Sequence, residues 1–139
     1  MKTHQPKVSK IKRDWHLMDA ASEPLGRLAS RSAYLLIGKN KKDYTPNYDM
    51  GDFVVVVNAR KVKVTGKKAS QKVYRSHSGY PGGFKEVTFK RLSEKKPEDI
   101  IKKAVFGMLP DNRLKKFRLK RLMVVAGSDN PFQNKFEGK

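Results

Sequence analysis

The chain has 139 residues and no cysteine, and it carries 32 lysines and arginines against 13 aspartates and glutamates, a formal charge of +19 at pH 7. That length suits one domain able to bury roughly two thirds of the surface its unfolded form exposes. The composition excludes disulfides, thiolate metal sites and a cysteine nucleophile; no apolar run approaches a membrane span, and a cationic surplus of this size demands a polyanionic partner, nucleic acid first, with binding that weakens steeply as salt rises.

Residues 1–13 contain Lys2, Lys7, Lys10, Lys12 and Arg13, no acid and only scattered aliphatics, so they form a basic arm expected to be flexible when free. They lack the apolar core of a secretory signal, and an arginine-poor segment with Pro6 fits an organelle transit peptide poorly, which places the expected mature start near Met1. Cysteine-free composition fits a reducing cytosol. The apolar stretch Trp15 to Ala20 is expected to be a strand, and Pro24, at a first helical position, opens a helix to Ile37. Leu25, Leu28, Ala29, Ala33 and Leu36 form its core stripe, with Gly38 as the stop. Arg27 and Arg31 lie one turn apart on another face; alone they read as a solvated face, and only the overall charge gives them a phosphate role.

Residues 39–52 are polar and broken by Pro46 and Gly51. They feed Phe53 to Val57, apolar on both alternating faces and hence a strand buried on both sides. Strand, helix and doubly buried strand is the order of an α/β fold with a parallel sheet and a right-handed crossover. Residues 58–72 are strongly basic, with Arg60, Lys67 and Lys68, around the short alternation Val62 to Thr65. Lys72 to His77, the turn Gly79-Tyr80-Pro81-Gly82-Gly83 and Phe84 to Phe89 read as a β-hairpin-like excursion. Pro97 opens a second helix whose first turn holds Glu98 and Asp99, with Ile101, Ala104, Val105 and Met108 as its stripe. Pro110 ends it. Asp111 or Asn112 caps a third helix, Arg113 to Arg121, with Leu114, Phe117 and Leu122 turned inward and its other faces cationic. Leu122 to Ala126 is a buried strand, and 128–139 is a polar tail with Phe132 and Phe136 as anchors. No repeat or linker argues for a second domain, so 14–127 is read as one.

His4, His16 and His77 are too few and too scattered for a metal site. His77 sits beside the glycine turn without the orienting partner a catalytic base needs, and suits hydrogen bonding or stacking against nucleic acid instead. Gly66-Lys67-Lys68 resembles the end of a phosphate-binding loop, but Lys61 stands where its first glycine belongs and Lys68 where serine or threonine belongs. The single Gly26 between residues 19 and 28 gives no dinucleotide fingerprint. No catalytic residue, metal, cofactor or small-molecule substrate is expected. The glycine turn is by default a turn, yet flanked by Arg75, His77 and Lys85 it also projects donors and Tyr80 toward RNA phosphates, sugars and splayed bases. Arg113, Lys115, Lys116, Arg118, Lys120 and Arg121 are the densest cations. Neutralising roughly six to ten phosphates, these with the arm and residues 60–72 would lose about a thousandfold in affinity toward near-physiological salt.

Composition alone leaves rivals. A DNA-binding architectural protein shares the charge but lacks a visible groove-reading module; an RNA-modifying enzyme has only the α/β order and His77; an anionic membrane surface needs an apolar helix face that the core already claims.

Gly107-Met108-Leu109-Pro110 followed by Asn112-Arg113-Leu114 resembles the signature of the bacterial large-subunit ribosomal protein family L-thirteen. Further blocks occur in the same order: Asp19-Ala20, Leu25-Gly26-Arg27-Leu28-Ala29-Ser30, Tyr44-Thr45-Pro46, Gly51-Asp52-Phe53, Val57-Asn58-Ala59, Thr65-Gly66-Lys67-Lys68 and His77 to Gly83. Coverage runs from about Trp15 to Gly127. The resemblance implies a three-layer α/β/α domain around a small, mostly parallel sheet and no enzyme activity. It also implies a structural role on large-subunit ribosomal RNA beside other ribosomal proteins of the cytoplasmic ribosome, with early participation in subunit assembly. It points to Arg27, to Lys39, Lys41 and Lys42, to His77, Gly79, Tyr80, Gly82 and Gly83, and to Asn112, Arg113 and the cations up to Arg121 as RNA-facing. The chain departs from the family pattern at Asp111, where a basic residue is common, at Lys115, where glycine is frequent, and at 129–134, which lacks a histidine-containing pattern.

Overall fold

The computed structural model describes residues 5–136, so the first four residues of the arm lie outside the described residues. In chain order the elements are β1 (Trp15–Asp19), α1 (Leu25–Ile37), β2 (Phe53–Val57), α2 (Lys68–Gln71), β3 (Val73–His77), β4 (Phe84–Thr88), α3 (Phe89–Lys95), α4 (Pro97–Met108), α5 (Lys115–Lys120) and β5 (Leu122–Val124), with short 3-10 turns at Val8–Lys10, Ala59–Lys61 and Gln133–Lys135. The fold is α/β: a parallel sheet in the order β1-β2-β5 and a separate antiparallel hairpin of β3 and β4. Among the described residues no helix is long and apolar enough to cross a membrane.

The all-apolar β2 is the middle strand because only there are both faces covered. Val54, Val55 and Val56 have no exposed surface. The register places Trp15 opposite Phe53 and Val54 opposite Leu122. Val54 and Val56 consequently share a face with Met18 and Leu122, packed into one core with Leu28 and Leu36 of α1 and Ile101 and Val105 of α4. Each such aliphatic side chain contributes about 1.5–3 kcal/mol of burial. On the opposite face Trp15 stacks on Phe53 with centroids 4.4 Å apart, and Phe132 and Phe136 of the tail lie 5.9 and 6.1 Å from Trp15, anchors as expected.

Every residue of the expected α1 stripe is buried, and Gly38 ends the helix in the left-handed region at φ +85°. Buried Ser32 is accommodated by donating to the Leu28 carbonyl at 2.8 Å. Pro24, however, is the extended cap before the helix and not its first helical residue.

Four other expectations are corrected. Phe89 does not continue β4 but begins α3, a helix the alternation hid; Thr88 caps it by accepting the Arg91 amide. The short alternation 62–65 forms only a bridge between Pro24 and Lys63, with Val62 and Val64 packed against the core. In α4 Ile101 and Val105 are buried and Ala104 packs against the core as expected, but Ile100 joins them, and Met108 is 42% exposed and lines a cleft. The third helix spans only Lys115–Lys120; Leu122 beyond it is buried as expected, but within the helix Lys115 and Arg118 are buried and Leu119 packs against the core, while Phe117 is 53% exposed. Asn112 does cap this region, its side-chain oxygen accepting the amides of Leu114 and Lys115 at 3.1 Å each. The last strand ends at Val124; Leu122 is buried as expected, whereas Met123 and Val124 are half-buried on this edge strand.

Candidate nucleic-acid interface

Two carboxylates organise the cations that the fold keeps for itself. Asp52 is fully buried beside β2 and accepts from four directions: Lys41 Nζ at 2.6 Å, His16 Nε2 at 3.0 Å, the Asp14 amide at 3.1 Å and Asn40 Nδ2 at 3.3 Å. Burial pushes the Asp52 carboxyl up; Lys41, His16, the Asp14 amide and Asn40 together outweigh it and hold the group below the ordinary carboxylate value. Asp49 binds Arg121 through both its oxygens at 2.6 Å, with Arg118 Nε at 3.8 Å and Arg13 Nη2 at 3.7 Å. Arg13 also donates to the Gly51 and Asp49 carbonyls, and Lys41 Nζ to those of Lys12 and Met50. The base of the arm and the polar segment 39–52 are thereby tied to the domain.

Four cations singled out in the sequence as RNA-facing therefore lie inside. Lys41 is committed to Asp52, Arg121 to Asp49, and Arg118 is 1% exposed. Lys115 packs its ammonium 3.6 Å from the Phe106 ring centroid and 2.5 Å from Asp111 Oδ1. Arg118 and Arg121 turn inward because the distant Asp49 meets them, and residue spacing in the 113–121 run carries no trace of that partner, whereas Asp111 lies one turn before Lys115.

Outside, Arg27, Arg31, Lys39, Lys42, Arg60, Lys67, Lys68, Arg75, His77, Asn112, Arg113, Lys116 and Lys120 are exposed. Arg31 pairs with Glu23 and Arg75 with Glu86. Among the described residues the remaining lysines and arginines of this set have no ion-pair partner. Tertiary packing gathers some of them. Arg27 and Lys68 meet Lys72 and Lys103 around a cleft between the first turn of α1, the last turns of α4 and the 64–72 segment. Lys39 and Asn112 line an adjoining groove that shares Met108 with that cleft. Arg60 borders a third groove beside α2 and α3.

Lys72 and Lys103 were not anticipated as site residues. Their ammonium groups stand 5.5 and 5.1 Å from the centroid of one ring, Tyr74, whose buried hydroxyl has no hydrogen-bond partner among the described residues and whose ionisation burial pushes up. The basic character of 58–72 was a usable signal for Lys72; Lys103 had none, because only the fold brings α4 beside that segment.

The hairpin tip is built as the sequence suggests. Gly79 and Gly82 have φ of +85° and +71°. Gly83 donates to the Tyr80 carbonyl at 2.9 Å, the Ser78 amide to the Gly83 carbonyl at 3.2 Å, and the Gly79 amide to His77 Nδ1 at 2.9 Å. Tyr80 is left 76% exposed and Phe84 58%.

A family model described as Ribosomal protein L13 matches residues 13–131. The chain belongs to the ribosomal protein L13 family. Similar L13-family proteins, each named large ribosomal subunit protein uL13, include that of Pelobacter propionicus, 56% identical over 131 residues covering 94% of this chain and 92% of the relative. That of Rubrobacter xylanophilus is 50% identical with the same coverage, and that of Prochlorococcus marinus subsp. pastoris 55% identical over 130 residues, 94% of this chain and 91% of the relative. Within this L13-family chain Asp111 and Lys115 are each other's partners, one turn apart.

Proposed function

We propose that this L13-family chain is a non-catalytic structural constituent of the large ribosomal subunit, in the cytoplasm, that binds large-subunit ribosomal RNA and supports early subunit assembly beside neighbouring ribosomal proteins. One observation carries the reading. The acids Glu23, Asp49, Asp52, Glu86 and Asp111 are occupied by cations of the same chain, while Arg27, Lys39, Lys42, Arg60, Lys67, Lys68, Lys72, Lys103, Arg113, Lys116 and Lys120 are left at the surface without an ion-pair partner among the described residues. Their like charges repel one another until an external polyanion lies across them. Spread over α1, the 60–72 segment, α4 and the region after Pro110, they suit phosphates of several RNA helices rather than one groove. Lys7, Lys10 and Lys12 of the arm add to the positive charge, and the names of the relatives supply ribosome and subunit.

Sedimentation of lysate through sucrose tests it: the protein is expected to travel with large subunits and to remain there through a moderate salt wash. Recovery only from the soluble top fractions, or preference for duplex DNA over structured ribosomal RNA at matched salt, would overturn the assignment.

A further inference from the structure

The cleft lined by Arg27, Lys68, Lys72 and Lys103 has properties that generic backbone neutralisation does not require. Between its cations the lining is apolar at Leu25, Val64, Ala104 and Met108, and its volume is about 840 Å³. Gly26 of α1 and Gly107 of α4 stand on its walls, and a Cβ built on either would meet no atom within 4 Å. Neither has a positive φ. A glycine inside a helix costs about 1 kcal/mol relative to alanine, and here neither close packing nor backbone conformation explains it; what each preserves is open space. Four cations from three segments around that space have no carboxylate partner among the described residues, two of them sharing the Tyr74 ring.

We propose that this cleft receives one unpaired nucleotide of the bound RNA, its phosphate held among Arg27, Lys68, Lys72 and Lys103 and its base laid against the apolar lining. The inference rests on the RNA-binding reading above and deepens it. An A-form duplex keeps its bases stacked and presents only a ridge of phosphates and riboses, so it cannot fill an apolar recess; a splayed nucleotide supplies the anion and the flat apolar surface together. An acidic peptide would satisfy the cations and leave the apolar lining bare.

The full-length protein, labelled with nitrogen-15, is titrated at low salt with hexauridylate, with a blunt RNA duplex of equal phosphate number, with uridine monophosphate and with hexaglutamate. Hexauridylate is expected to shift the amides of Gly26, Arg27, Gly107 and Met108, the monophosphate to shift them more weakly, and the duplex to shift other cationic regions. Gly107→Leu places a good helix former in α4 and its side chain in the cleft; it should fold normally, bind the duplex as before and lose about tenfold in hexauridylate affinity, the scale of one lost set of apolar contacts. Equal shifts of these amides by duplex or hexaglutamate would overturn the proposal, as would unchanged hexauridylate binding by a folded Gly107→Leu. Should Gly107→Leu misfold, Lys103→Ala replaces it and must weaken hexauridylate more than duplex. Binding to neither RNA would overturn the wider RNA reading as well.

Discussion

Arg121 and Asp49, 72 residues apart, meet in a two-pronged ion pair with both contacts at 2.6 Å, and Arg121 Nη2 also reaches the Leu36 carbonyl at 3.3 Å. One carboxylate so joins the end of α5 to the loop before β2 and the last turn of α1. With Arg118 and Arg13 also within 4 Å, it balances three guanidiniums, two of them almost fully buried.

Removing that carboxylate leaves buried charge uncompensated. Asp49→Ala is expected to lower stability by about 3–5 kcal/mol, and Asp49→Asn nearly as much, because an amide cannot neutralise the arginines. Asp129→Ala, on the exposed tail, should stay within about 0.5 kcal/mol. Urea denaturation measures both, and coincident midpoints for the Asp49 and Asp129 variants would show that the arginine cluster does not support the fold.

Arg118 and Lys120 are two residues apart on α5 yet belong to different environments, one 1% exposed and the other on the surface. Arg118→Ala should cost about 2 kcal/mol or more of stability through lost packing and a disturbed Asp49 cluster. Lys120→Ala should leave stability within about 0.5 kcal/mol and lower the salt dependence of RNA binding by about one unit. A reduced salt slope for Arg118→Ala at parental stability would return that guanidinium to the RNA surface.

Because the folded-state value of Asp52 lies below its unfolded one, its contribution to stability is fully present above the unfolded carboxylate value of about 3.9 and is lost as pH falls through the lower folded value. Urea midpoints taken stepwise below about pH 5 should drop for the parent and drop less steeply for Asp52→Asn, which starts less stable because Lys41 loses its counter-charge. Parallel slopes for the two would remove Asp52 from the acid response.

A Cβ on Gly51 would lie 1.7 Å from the Leu36 carbonyl oxygen and 2.8 Å from Arg121 Nη2. Gly51→Ala must push β2's approach away from α1 and break the Arg121 contacts, a loss of more than about 3 kcal/mol. Gly26→Ala, whose Cβ meets nothing, should be neutral or gain up to about 1 kcal/mol. Thermal unfolding of the pair decides; a stable Gly51→Ala would refute the close approach.

At the hairpin tip Gly82 has open space but φ of +71°, so Gly82→Val strains the backbone alone. Amide signals from Ser78 to Phe84 should shift and RNA affinity fall, while signals from α1 and β2 stay in place. Normal binding with an undisturbed tip would refute the tight-loop reading.

Local periodicity decided what depends on near neighbours. The aliphatic run Val54 to Val57 could only be a central strand, the three-and-four spacing in 25–36 could only bury one helix face, and Gly38, Gly79 and Gly82 mark positive backbone angles where they occur. The net charge of +19 likewise calls for a polyanion whatever the fold. What the tertiary structure alone decided is which cations serve the fold and which face outward. Arg118 and Lys120 differ by two positions in one basic run, and nothing in that run records that Asp49, in a loop some seventy residues earlier, turns toward the first and not the second. Lys103 joins Arg27 and Lys68 for the same reason: a charge acts through space over a few ångströms, and residues distant in sequence become neighbours only after the sheet and helices have packed.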